Sequence, residues 1–134
     1  MVAVIYPLYK QALLDGSINT DLTAGDIRVI LVDLADYTYS AAHNFLDDVA
    51  AAGRVSVTAA GMTTKTVANG AFNADDSVFA SATGDPSEAM IGYIHTGVES
   101  TARLIWFDDA STGLPITPNG EDINVTWGAN IFAL

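Results

Sequence analysis

Apolar and polar residues follow different periods in successive stretches of this chain. Near the start, Tyr9 and Leu13 recur at helical spacing, and Pro7 and Gly16 stand where a helix would begin and end. Residues 26–33, DIRVILVD, form a nearly continuous run of apolar and β-branched residues, which is typical of a strand covered on both faces. The pattern therefore predicts one short helix followed by a buried strand.

A second helix is predicted over residues 40–53. Ser40 can cap the first turn with its hydroxyl oxygen, and Gly53 can end the last turn. Between them, apolar residues follow the i, i+3, i+4, i+7 spacing of one helical face: Ala42, Phe45, Leu46 and Val49.

From residue 54 onward the pattern predicts mainly strands. Asn69-Gly70 is a strong signal for a tight hairpin turn. The apolar runs 88–97 and 102–109 are joined by a short segment, so we expect them to pair as a hairpin. Apolar and polar residues alternate over 123–127, which indicates a strand with one buried and one solvated face.

Together these elements predict a mainly β fold of about six or seven short strands, with one or two short α-helices. A β-sandwich or a barrel-like sheet would accommodate them, and some α+β character is compatible with the pattern. The 134 residues suit a single domain, 1–134. No apolar run is long enough to span a bilayer. MVAVIYPLYK at the start lacks the basic residues and cleavage site of a signal peptide.

Charge changes the range of expected partners. The chain has 16 acidic and five basic residues, a net charge of −11, and the bases are scattered singly. Proteins that bind nucleic acid need clustered lysine and arginine to neutralise phosphates. We therefore expect no binding to nucleic acid or to an anionic membrane. Cysteine is absent, which excludes disulfides, thiolate metal ligands and a thiol nucleophile.

Four acidic doublets are the most visible candidates for chemistry, and we interpret them as turn caps. The sequence contains no Asp-x-Asp-x-Asp-Gly calcium loop. A glycosidase carboxylate would need an apolar cleft, whereas these acids stand among glycine, asparagine and serine. The stretch 108–122 accordingly reads as a polar connection between strands. The doublets are Asp47/Asp48, Asp75/Asp76, Asp108/Asp109 and Glu121/Asp122.

The remaining candidates also favour structural roles. His43 and His95 do not have the spacing of a metal-binding or catalytic pair. Trp106, Phe107 and Trp127 could form a sugar-stacking platform, but each stands in an apolar strand, so we predict core positions. The glycines match no phosphate-binding pattern. We therefore expect no catalytic residue, no cofactor and no metal.

From Tyr9 to Leu134 the chain resembles a family of small structural proteins of tailed bacteriophages, which act as capsid decoration or cement proteins. The closest likeness is in DASTGLPITPNGEDINVTW, near a family signature from whose commonest residues Ile116 and Glu121 differ. The closing WGANIFAL is also shorter than the corresponding turn of the family. Other similar stretches are QALLDGSI, IRVILVDLADYTY, AHNFLDDV followed by GRV, KTVANGAFNADD and TGDPSEAMIGY.

The resemblance implies a non-enzymatic virion protein, made in the host cytoplasm, that stabilises the capsid from the outer head surface. Its partners would be the major capsid protein and further copies of itself, with a trimer favoured over a dimer. Multivalent contact with a repeating shell would supply affinity. Two other hypotheses stay open: a tail or adhesion component of the virion, and a small acidic hydrolase that uses Asp108 or Asp109.

The apolar N-terminal segment is the candidate contact site. Residues 1–8 could form an arm that docks on the capsid or on a sister subunit, or the segment could pack on its own domain. The arm reading predicts that deleting residues 1–8 abolishes head binding and leaves the fold intact. The candidate contact residues are Val4, Ile5, Tyr6, Leu8 and Tyr9.

Overall fold

The computed structural model describes residues 4–134, which contain ten strands, one α-helix and three short 3-10 turns. The prediction of a mainly β fold is confirmed. No helix in this part of the chain is long and apolar enough to cross a membrane. The elements are β1 Val4–Ile5, α1 Pro7–Asp15, β2 Asp26–Val32, β3 Arg54–Val57, β4 Thr66–Ala68, β5 Ala71–Asn73, β6 Ser77–Phe79, β7 Ala89–His95, β8 Leu104–Asp108, β9 Ile123–Val125 and β10 Phe132–Ala133.

The largest sheet is antiparallel, with the strand order β1-β8-β7-β2-β3. Its centre is the pair β2 and β7, which stays in register from Asp26 opposite His95 to Val32 opposite Ala89. Most residues of both strands are buried. This two-sided burial is the physical reason for the continuous apolar run at 26–33.

Two smaller antiparallel sheets complete the fold, one with the order β10-β5-β4 and one that pairs β6 with β9. Asn69 and Gly70 join β4 to β5 with φ angles of 52° and 78°, as a two-residue hairpin turn of the primed type requires. The predicted hairpin of 88–97 and 102–109 is also confirmed, because β7 pairs with β8. The buried side chains of the three sheets form one contiguous cluster.

Trp106 of β8 belongs to that cluster and is fully buried. It stands opposite Gly92 of β7, and a Cβ added at Gly92 would overlap the six-membered ring of the indole. Phe72 and Phe132 of the three-stranded sheet pack nearby, with ring centroids 6.5 and 5.7 Å from that of Trp106. The prediction that the aromatic residues of β8 and Trp127 are core residues is confirmed.

The first helix, α1, begins and ends as its sequence indicates. Pro7 occupies the first turn, where its missing N–H costs no hydrogen bond. Gly16 follows the last turn with a φ of 71°, and its N–H donates to the carbonyl of Ala12, which closes the helix in a left-handed cap.

The predicted helix over residues 40–53 is wrong. This segment contains only two 3-10 turns, Leu46–Asp48 and Ala51–Gly53. Its backbone pairs with the approach to β8 instead, since the Leu46 N–H donates to the Ala102 carbonyl at 2.9 Å. The Asp48 carboxylate accepts the N–H groups just before the first turn. Tertiary pairing has therefore overridden a pattern that local propensity favours.

The contact between Gly92 and Trp106 generates a prediction. We expect Gly92→Ala to lower the free energy of unfolding by about 1–3 kcal/mol, the usual cost of overpacking a core. Urea denaturation measures this change. In a Trp106→Phe background, which removes the overlapping ring, the same substitution should cost less. An equal cost in both backgrounds would contradict the proposed origin of the strain.

Candidate functional site

The N-terminal segment, which is the candidate contact site, adds an edge strand to the largest sheet. Val4 and Ile5 of β1 pair with Phe107 and Trp106 of β8. The chain then bends into α1, and the Tyr6 N–H donates to the Ile105 carbonyl at 2.9 Å. The described part of this strand has two residues, too few for a periodicity in the sequence to reveal it.

A buried chain of hydrogen bonds fixes the segment to the loop that follows β2. The Tyr6 and Tyr37 hydroxyls are 2.8 Å apart, and the Tyr37 hydroxyl is 2.8 Å from Nδ1 of His43. Tyr39 packs against the Tyr6 ring, with the two centroids 5.2 Å apart. Burial, and then the hydrogen bond with Tyr37, raise the pKa of Tyr6 far above its usual range. Sequence patterns do not reveal this network, because its members are up to 37 positions apart.

The candidate contact residues divide into two groups. Ile5, Tyr6 and Tyr9 are buried in the chain's own core, and the Tyr9 hydroxyl donates to the Thr20 carbonyl at 2.9 Å. For these three residues the structure matches the packed reading, and burial leaves them little surface for a partner. Val4 is 45% exposed and Leu8 is partly exposed, so partner contact through this pair stays a prediction. Residues 1–3 of the predicted arm lie outside the described residues.

Each acidic doublet contains at least one carboxylate that accepts hydrogen bonds from a turn or from a neighbouring segment. Asp108 is buried, and its carboxylate accepts bonds from the Ala110 N–H and the Ser111 hydroxyl. Asp122 accepts the Ser81 N–H at 2.8 Å, so the loop that contains it is tied to a distant part of the chain. In the other two doublets the corresponding acceptors are Asp48, Asp75 and Asp76. These bonds are what the turn-cap interpretation predicts.

One group of carboxylates does converge. Oxygen atoms of Asp33, Asp36 and Asp85 lie within 4.8 Å of one another, with Asp33 buried and the other two exposed. Asp33 already accepts the Ala35 N–H at 2.9 Å. Calcium requires six to eight oxygen ligands, so these three side chains could supply only part of a coordination shell. We assign no ion to them.

The two histidines have separate environments. His43 ends the Tyr6–Tyr37 hydrogen-bond chain, and its ring packs on Tyr37 with the centroids 5.3 Å apart. His95 lies at the end of β7, and its ring centroid is 6.2 Å from that of Tyr93 in an edge-on arrangement. Within residues 4–134, neither histidine joins a group of three metal-ligating side chains.

Most of the basic side chains are held by contacts within the chain. Arg28 forms an ion pair with Asp26 at 2.9 Å, and Arg54 forms one with Glu99 at 2.7 Å. The Arg103 guanidinium donates to the Ile18 carbonyl and lies 5.1 Å from the centre of the Phe45 ring. Lys65 donates to the Gly25 carbonyl. These contacts disperse positive charge and leave no basic patch among them.

Several openings indent the surface of residues 4–134. One of them, which we call the loop groove, has a volume of about 560 Å³. Residues 110–114 and 123–128 line it together with Leu31 and Met90. Ser111, one of its hydroxyl-bearing lining residues, donates to the buried carboxylate of Asp108. The hydrolase hypothesis that uses Asp108 therefore stays a hypothesis.

The second opening, which we call the helix groove, has a volume of about 320 Å³ and lies between α1 and the three-stranded sheet. Tyr9 and Leu13 line it from the helix. Val67, Phe72 and Phe132 line it from the sheet and occupy one row across β4, β5 and β10. Sequence reasoning missed this groove because it joins the two ends of the chain. The apolar periodicity of α1 is its only trace in the sequence.

Comparison with known proteins identifies no family for this chain. No family model matches the sequence, and a search of curated proteins finds no matching relative.

The buried tyrosines generate a prediction for alkaline solution. Burial is the largest cause that raises the phenol pKa values of Tyr6, Tyr9, Tyr37 and Tyr93. The folded chain therefore keeps these protons to higher pH than the unfolded chain, in which tyrosine ionises near pH 10. We expect stability to be unaffected by these groups below about pH 10 and to fall as pH rises above it.

Tyrosinate absorbance and far-ultraviolet circular dichroism, recorded in one titration, measure this effect. Most of the tyrosinate signal should appear together with the loss of structure. Ionisation of most tyrosines near pH 10 with the dichroism unchanged would contradict the burial argument.

The arm reading predicts that deleting residues 1–8 leaves the fold intact, and the packing of the N-terminal segment predicts the opposite. Deleting residues 1–8 removes Ile5 and Tyr6 from the core, so the truncated chain should be less stable. The loss should be at least about 3 kcal/mol, the scale for removing one large aromatic side chain from a core. Urea denaturation measures it, with Val4→Thr as the control that alters only an exposed position. A truncated chain that unfolds at the same urea concentration as the intact one would restore the arm reading.

Proposed function

We propose that this chain is a structural protein of a tailed-bacteriophage virion that decorates and stabilises the capsid by binding the major capsid protein on the outer head surface. The observation that carries the proposal is a difference between the charged and the apolar side chains in how far contacts within the chain occupy them. Acidic and basic groups are largely engaged in turns and ion pairs, whereas apolar side chains stay exposed on several elements, β1 and α1 among them. Such a surface suits protein contact better than catalysis.

The exposed apolar side chains support the N-terminal segment as the contact site, which is the site that the sequence also favours. Val4 is 45% exposed on β1, and Leu13 and Leu14 are 36% and 90% exposed on α1. β1 is also an edge strand of the largest sheet, and an edge strand can pair with a strand of another protein. We therefore place the capsid contact on β1 and the adjoining turn of α1.

Charge supports the outer surface as the location. A net charge of −11 repels packaged DNA, and arginine contacts within the chain leave few cations for phosphate. An acidic protein outside the shell does not compete with the shell for the genome.

Co-sedimentation with heads that lack this protein tests the proposal. Purified protein should bind saturably, in a fixed ratio to the capsid subunit, and should prefer heads after shell expansion. Val4→Asp should weaken binding by roughly tenfold or more, because it removes the burial of an apolar side chain. Val78→Asp is the matched control, since Val78 is 41% exposed on β6.

The outcomes of this experiment distinguish the claim of head binding from the claim that β1 makes the contact. Absence of binding to heads in either form would overturn the proposal and favour a tail or adhesion component. Binding that Val4→Asp and Val78→Asp weaken equally would place the contact away from β1.

A further inference from the structure

The buried hydrogen-bond chain of Tyr6, Tyr37 and His43 contains a limited number of protons. Each tyrosine has one hydroxyl proton, and a neutral histidine presents Nδ1 either with a proton or with a lone pair. One bond of 2.8 Å joins the two hydroxyls, and a second of 2.8 Å joins the Tyr37 hydroxyl to Nδ1 of His43. The direction in which the donors point determines which protons are bonded.

The burial of Tyr6 favours one direction. Its side chain is fully buried, and within residues 4–134 its hydroxyl bonds only to that of Tyr37. If Tyr6 donates to Tyr37 and Tyr37 donates to Nδ1, both hydroxyl protons are bonded. The opposite direction leaves the Tyr6 proton buried without an acceptor, which is costly. This count of protons assigns Nδ1 of His43 as the terminal acceptor.

Protonation of His43 is incompatible with that direction, because an imidazolium has a proton on both ring nitrogens and accepts no hydrogen bond. His43 is half-buried, so its ring is open to protons from solvent. If the protonated ring stays in place, the bonds reverse and the Tyr6 proton loses its acceptor. If the ring turns outward, the proton of Tyr37, which is buried, loses its acceptor instead. Each alternative leaves one buried donor unpaired.

Asp48 and Arg103, two charged side chains of opposite sign, lie beside the residues that follow His43. The Asp48 carboxylate is exposed and accepts the N–H groups of residues 44 and 45. The Arg103 guanidinium donates to the Asn44 side chain at 3.4 Å. Since the two charges offset each other and water screens them, the unpaired proton is the larger effect. The aromatic side chains packed on the two tyrosines are uncharged at neutral pH: Tyr39 and Phe107.

We propose that protonation of His43 loosens the N-terminal segment, so that β1 and the start of α1 are held firmly in neutral solution and weakly in mildly acidic solution. Tyr6 stands between β1 and α1, and its N–H donates to the Ile105 carbonyl of β8. The folded segment binds the proton only by breaking bonds, whereas the unfolded segment binds it freely. The stability of the segment therefore falls as pH falls through the range near about pH 6.5 in which histidine ionises.

Amide hydrogen exchange of the full chain, followed by nuclear magnetic resonance, tests this inference. The protection factor of the Tyr6 amide should fall roughly tenfold between about pH 8 and about pH 5, the scale for one buried donor left unpaired. The Thr58 amide donates to the Val29 carbonyl at the opposite side of the largest sheet. It reports any general loss of stability, and its protection should change less than that of Tyr6.

Two histidine variants form a matched pair. His43→Asn keeps an acceptor oxygen near the position of Nδ1 and cannot be protonated, so the protection of the Tyr6 amide should become independent of pH. His95→Asn removes the other histidine, at the end of β7, and should lose protection as the unaltered chain does. Each variant is compared with its own value at about pH 8, where circular dichroism checks its fold. If His43→Asn does not fold, Tyr37→Phe takes its place, because it removes the hydroxyl that connects His43 to Tyr6.

Two results would overturn the inference. One is a Tyr6 amide that stays equally protected down to about pH 5 in the unaltered chain. The other is an equal loss of protection on acidification in His43→Asn and His95→Asn. The measurement uses the free chain and does not depend on head binding, so failure of this inference and failure of the proposed function are separate results.

Discussion

The indole of Trp106 lies between the largest sheet and the three-stranded sheet, and the packing of the two sheets depends on its position. Gly92 leaves room for the ring on the central strand β7. Phe72 and Phe132 bring the three-stranded sheet against it, and Trp127 meets it edge-on at 6.0 Å with an interplanar angle of 89°. Within residues 4–134 its Nε1 has no hydrogen-bond acceptor, so packing and not hydrogen bonding holds the indole in place.

The short strands are stable because polar side chains order the turns between them. The Trp127 indole donates to the Ser77 hydroxyl at 3.0 Å, and the Trp127 N–H donates to Asp76 at 3.2 Å. Asp122 ties the loop before β9 to Ser81 in the same way. An acidic composition is therefore part of how this β-rich fold is held together. The carboxylates that resemble catalytic pairs in the sequence are largely occupied with that task.

Local signals in the sequence predicted the elements that local physics determines. The buried strand at 26–33, the turn at Asn69-Gly70 and the ends of α1 each follow from adjacent residues. The segment 40–53 did not follow its helical pattern, because the Leu46 N–H bonds to the Ala102 carbonyl and the Asn44 carbonyl accepts the Leu104 N–H. β1 was too short to show a period, and the helix groove joins α1 to β10, so only the folded chain reveals either of them.

The N-terminal part of the chain connects the fold to the proposed function. Its buried residues anchor β1 and α1 to the core, and its exposed residues face outward from rigid elements. The most direct test of virion decoration is the copy number of this protein in purified virions, measured by quantitative mass spectrometry against the major capsid protein. Our account predicts many copies per particle, in a fixed ratio to the capsid subunit and recovered with isolated heads. A few copies per particle, recovered with isolated tails, would contradict it.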